Sequence, residues 1–168
     1  MPISRMRRAA LAEGALDRRV PPRGVAGSLL MIVLPQPFDD DGDGLLTGGA
    51  APFCAAMLRA MGIAEHEVYF ASALPAPMAM PEWDRLAAAG LGQVLRHHIA
   101  LAAPQRVLLC GRAQLALFGI APEQAREPLS VDCNGSPHAL LAAPDLRNLA
   151  RSAVRRENFW NRWLDWTR

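Results

Sequence analysis

Hydrophobic and polar positions along the chain alternate between two periods, short apolar runs and longer amphipathic stretches. Ser28–Leu34 (SLLMIVL) is a continuous apolar run of strand length, the pattern of a strand covered on both faces. Pro35-Gln36-Pro37 turns the chain into an acidic glycine loop, and a helix opens at Gly48-Gly49 and runs to Met61. Glu67–Ala73 predicts a second strand, and Leu74–Pro81 (LPAPMAMP) is too rich in proline for anything but an extended loop. A helix is expected from Pro81 or Glu82, through Leu86, Leu91, Val94, Leu95 and Ile99, ending before Pro104.

Arg106–Cys110 reads as a third strand, Gly111 as a turn, and Arg112–Phe118 as a helix, followed by a polar loop over 120–128. Strand-like segments Leu129–Cys133 and His138–Ala142 flank Asn134-Gly135, a hairpin signal. The final helix, roughly Leu146–Trp166, carries Phe159, Trp160, Trp163 and Trp166 on overlapping faces, the spacing of a core stripe. Strands alternating with helices predict a three-layer α/β/α sandwich around a mostly parallel, four-stranded sheet. The expected organisation is an N-terminal basic arm over residues 1–27, with a helix at Arg5–Leu16 and a Pro/Gly connector, followed by one domain over 28–168.

Composition adds less than pattern. With 51% apolar and 20% charged residues, the 168-residue chain is that of a globular protein. No apolar run approaches the roughly 18 residues that span a bilayer, and Glu13 and Asp17 interrupt the basic N-terminus. No membrane association and a cytoplasmic location are therefore expected. Cys54, Cys110 and Cys133 form no C-x-x-C pair and sit in apolar elements, as small buried hydrophobes do. His97 and His98 fall near a helix C-terminus, where an imidazolium is favourable, which explains them better than metal ligation.

The net charge of +2 conceals an uneven distribution: residues 1–28 hold six Arg against two acids, 29–144 six against eleven, and 145–168 six against three. There is no lysine, as in a GC-rich coding sequence, so arginine alone is not read as phosphate recognition. Arg147, Arg151 and Arg155, at i, i+4 and i+8, would share one face of the last helix. That face fits an acidic partner or phosphates, or a plain solvated surface.

In an open α/β sheet, ligands sit at the carboxyl ends of the strands, which places a candidate site in the loop from Pro35 to Gly49. Asp39-x-Asp41-x-Asp43-Gly44 imitates the start of a calcium loop, but the slot for the bidentate glutamate is Ala50 and a strand precedes it. Calcium at Asp39, Asp41 and Asp43 is disfavoured against a solvated loop.

The order of segments over residues 28–166 resembles the uracil-DNA glycosylase superfamily, nearest its iron–sulfur, family-4-type branch. The similar pieces are Leu34-Pro35-Gln36-Pro37-Phe38, Leu45-Leu46-Thr47-Gly48, Val68-Tyr69-Phe70-Ala71-Ser72, Cys110-Gly111-Arg112-Ala113, and Ala143-Pro144 ahead of Trp160. The resemblance implies a pocket at Gln36, Phe38, Leu46, Ser72 and Ala143, where a flipped base would be stacked and read. These are not the family's groups. Pro35 stands for a glutamate, Gln36 for an aspartate, Leu46 for the stacking phenylalanine, Ser72 for the base-reading asparagine, and Ala143 for the histidine.

The positions near Leu74–Pro77 and Gly90 are not cysteine, so no iron–sulfur cluster and no other cofactor are expected. Asp39, Asp40, Asp41 and Asp43 would repel a DNA backbone at the mouth. The expectation is a family member that has lost catalysis and serves as a binding or scaffold module in DNA replication or repair. Its partners would be replication or repair proteins, with DNA reached through the basic terminal segments. The clamp-loader psi subunit is similar in its basic N-terminal arm and in lacking the catalytic motif. The alternative is an active glycosylase that excises a damaged base with non-standard groups drawn from Gln36, Asp39, Asp41 and His138.

Overall fold

The computed structural model describes residues 19–126 and 128–168, so the helix expected at Arg5–Leu16 lies outside the described residues. Five strands, β1 (Leu30–Leu34), β2 (Val68–Ser72), β3 (Arg106–Cys110), β4 (Leu129–Cys133) and β5 (Ser136–Ala143), form one sheet in the order β2-β1-β3-β5-β4. The first four strands in that order run parallel, with Leu30 opposite both Val68 and Arg106, and Cys110 opposite Ala143. β4 pairs antiparallel with β5, from Leu129 opposite Leu140 to Cys133 opposite Ser136.

The expected four-stranded sheet is therefore corrected to a mixed, five-stranded one. Asn134 (φ +53) and Gly135 (φ +87) both adopt the positive φ that a tight hairpin demands, and this returns the chain beside its own preceding strand.

Helices cover both faces. Along β1 all five residues are at most 1% exposed, because alternate side chains feed two separate cores. Leu30, Ile32 and Leu34 pack under α1 (Ala51–Met61), α4 (Leu146–Arg151) and α5 (Ala153–Thr167), with Phe159 and Trp163 closing that layer. Met31 and Val33 pack under α2 (Trp83–Ala88), α3 (Leu91–Ala102) and the turn segment Arg112–Phe118. Cys54, Cys110 and Cys133 are free and buried.

Three expected helices take a different form. The one expected between Pro81 and Pro104 breaks at Gly90 (φ +101), giving α2 and α3. Arg112–Phe118 is a 3-10 helix closed by Gly119 in the left-handed region. The last helix breaks at Ser152 (φ −125, ψ 112), whose hydroxyl accepts the Arg155 N–H to cap α5 anew.

The connector before β1 is stitched to the sheet. Val20 is buried and its N–H donates to the Pro75 carbonyl, while Arg23 exchanges backbone hydrogen bonds with Phe70 at the outer edge of β2. The Arg23 guanidinium lies 4.1 Å from the Phe70 ring centroid, donates to the Leu45 carbonyl at 2.8 Å and pairs with Glu65 at 2.8 Å. One side chain thus ties the connector to β2, to the acidic loop and to the turn after α1, and it shields an edge that would otherwise present open backbone groups.

Candidate functional site

The order β2-β1-β3 means that the chain leaves β1 on one side and returns on the other, so the strand order reverses between β1 and β3. A crevice opens at the carboxyl ends of strands at such a point. Here it has a volume of about 630 Å³, and its floor is built from residues directly after three parallel strands: Pro35 and Gln36 after β1, Gly111 and Arg112 after β3, and Pro144 and Asp145 after β5. Gly111 has φ +118, and a Cβ there would come within 2.8 Å of the Pro35 ring, so the crossing of these two loops admits only glycine.

The walls come from helices. Trp83, the first residue of α2, forms one side. Arg155, Asn158 and Arg162, at i, i+3 and i+7 on α5, form the other. Asp145 is the N-cap of α4: its carboxylate accepts the Asn148 backbone N–H at 2.9 Å and the Asn148 side-chain amide at 2.8 Å. Among the described residues the crevice is therefore lined by three arginines, Arg112, Arg155 and Arg162, and by one carboxylate that is already engaged at a helix start.

Of the residues expected to share one pocket, only Gln36 lines this crevice. Its Oε1 accepts the Met78 N–H at 2.8 Å, so the amide pins the proline-rich loop. Ser72 donates its hydroxyl to the Leu74 carbonyl at 2.6 Å. Ala143 is fully buried, and its carbonyl accepts the Gly111 N–H. Leu46, at φ +56 and 4% exposed, is directed into the core beside Cys54, Leu58 and Phe70. Phe38 lies outside the crevice under the Arg147 guanidinium, 4.9 Å from its ring centroid.

The remaining candidates are dispersed as well. Asp39 is exposed at the edge of the acidic loop. Asp41 folds inward, its two oxygens accepting the N–H groups of Phe38, Thr47 and Gly48, while Asp40 accepts that of Gly49. Among the described residues, no three His, Cys, Asp or Glu side chains converge in a way that could hold a metal ion. His138 sits on β5 opposite Val131, in the hairpin.

The single arginine face expected on the last helix does not form. The break at Ser152 leaves Arg147 and Arg151 on α4, beside a smaller cavity of about 240 Å³ with Phe38 and Asp40, and Arg155 on α5 at the main crevice. His97 and His98 also have structural partners: His97 contacts Asn134, and His98 lies 2.9 Å from the Tyr69 hydroxyl. Burial and the neighbouring His97 lower the pKa of His98 below its ordinary value.

Sequence reasoning missed Trp83, Arg112, Asp145, Asn148, Asn158 and Arg162. Arg112 and Asp145 were within reach, since each follows a predicted strand at its carboxyl end. Trp83 and the α5 face were not, because their approach depends on how two helices from opposite layers lean over the strand ends. The site so defined is a crevice at the strand ends of a doubly covered α/β sheet. No family model and no curated protein matches this chain.

Proposed function

We propose that the protein is a uracil-DNA-glycosylase-like fold that binds rather than cleaves, a module of DNA replication or repair in which base excision has been lost. The observation that carries this reading is what stands at the positions similar to the family's working groups. The Gln36 carbonyl oxygen is committed to Met78, the Ser72 hydroxyl to Leu74, Leu46 is turned into the core and Ala143 is sealed within it. Cleavage of a glycosidic bond requires a group to hold or deprotonate water and a donor for the departing base. Of these four only Gln36 reaches the crevice, and a carboxamide has no basic atom with which to deprotonate water. What remains there is recognition chemistry: a tryptophan, amides and arginines.

A replication or repair protein is the expected partner, and an anionic ligand is what these arginines favour. The test is base release from duplex and single-stranded DNA carrying uracil, hypoxanthine or xanthine. We expect none above the spontaneous rate. A second reading is favoured by one feature, the Asp145 carboxylate beside Gln36 in the crevice. If base release is seen and Asp145→Asn abolishes it, that reading replaces the first, since asparagine also caps helices and the fold is kept.

A further inference from the structure

We infer that the crevice between β1 and β3 holds a single nucleoside monophosphate, with the phosphate on Arg112 and Arg155 and the base against Trp83. This rests on reading the crevice as a binding site, and it names the ligand class. The cavity of about 630 Å³ is of small-molecule size. Its lining supplies both kinds of group that a nucleotide needs, guanidinium groups for a phosphate and an aromatic ring for a base.

Arg112 comes from the floor after β3 and Arg155 from the α5 wall, and no salt bridge among the described residues joins either to a carboxylate. Arg112 is already oriented by one hydrogen bond from its guanidinium to the Pro122 carbonyl at 2.9 Å, which leaves its other N–H groups for a ligand. Planar guanidinium groups match phosphate oxygens in pairs, and a phosphate would neutralise Arg112 and Arg155 together. Trp83 adds a half-buried indole to the lining, and base–aromatic stacking works for any base. The same crevice is lined by Asn148, whose amide oxygen is left over from its bond to Asp145, and by Asn158; carboxamides pair with base edges through a donor and an acceptor.

The surroundings argue against a polymer. A strand continuing toward Phe38 would pass Asp39, which shares the adjoining hollow with Gln36 and Asp145, and would then meet Asp41 and Asp43. Those carboxylates oppose a run of phosphates, and none of them lines the crevice itself.

The experiment is calorimetric titration of the full chain with thymidine 5′-monophosphate, 2′-deoxyadenosine 5′-monophosphate, thymidine, inorganic phosphate and a twelve-residue oligothymidylate. Saturable binding of at least one monophosphate is expected, with the free nucleoside and inorganic phosphate each at least about tenfold weaker, the size of one stacking or one charged contact. Trp83→Ala should weaken the monophosphate about tenfold and leave inorganic phosphate unchanged. Arg112→Ala with Arg155→Ala should weaken monophosphate and phosphate alike and leave the nucleoside unchanged. Circular dichroism confirms that each variant is folded.

Absence of saturable monophosphate binding overturns the inference, as do Trp83 and arginine variants that bind like the parent. Tighter binding of the oligonucleotide that survives the Arg112/Arg155 change also overturns it and moves the ligand onto a different surface. Base release from DNA would defeat the non-excising reading while leaving the monophosphate affinities to be judged on their own.

Discussion

Replacing Asp41 by alanine should destabilise the protein, although the residue sits in a loop where four aspartates look interchangeable. Its two carboxylate oxygens accept the N–H groups of Phe38, Thr47 and Gly48, each at 3.2 Å. Hydrogen bonds to a charged acceptor contribute about 1.5–3 kcal/mol each at their best. These three are at the long end of the range, and the loop is partly wet, so water can replace part of each. About 2 kcal/mol for the set is a working value, which for a chain of this size lowers Tm by about 4–8 °C. The loop it staples delivers Leu45 and Leu46 to the core, where they are 0% and 4% exposed, so its loss spreads inward.

Asp39→Ala is the matched control: it removes the same charge from the same loop but takes away no hydrogen bond, and should move stability by no more than about 0.5 kcal/mol. Thermal and urea unfolding of the two variants, followed by circular dichroism, measures the difference. Equal effects, or a larger one at Asp39, would refute the reasoning. So would a rise in Tm of the parent on adding calcium, which would mean that Asp41 serves a cation and not the backbone.

Gly92→Ala should cost about 1–3 kcal/mol, because a methyl group there overlaps the Leu117 carbonyl oxygen and α3 must retreat from the segment bearing Arg112; Gly42→Ala, whose added methyl meets nothing nearer than Thr47 Oγ1 at 3.7 Å, should be close to neutral in the same melts. His98 gives a pH signature. Its pKa is lowered in the folded state, so its contribution is present above the ordinary value of 6.5 and is lost as pH falls through the lowered one; Tm should drop more steeply below pH 6.5 in the parent than in His98→Asn. Burial pushes the Cys54 thiol up to about 12, and that of Cys110 further still, so a disulfide reagent at pH 8 should find these thiols only as fast as the protein unfolds.

What the chain alone determined is the layering. A five-residue run such as LMIVL, with no polar position, can be satisfied only by cover on both faces, and amphipathic stretches between such runs supply that cover; this is local information, carried by side-chain period. The hairpin at Asn134-Gly135 was equally legible, because positive φ is a property of those two residues in any context. The breaks at Gly90 and Ser152 were not, since each interrupts an apolar period that continues beyond it, and only packing against the sheet fixes where the axis turns. Nor was the site. The sequence marked the loop after β1, but only the tertiary structure decided that Arg155, Asn158 and Arg162 from the last helix would face Trp83 from the other layer across the ends of β1, β3 and β5. Residues that far apart are brought together by the sum of many core contacts, and no spacing along the chain encodes that sum.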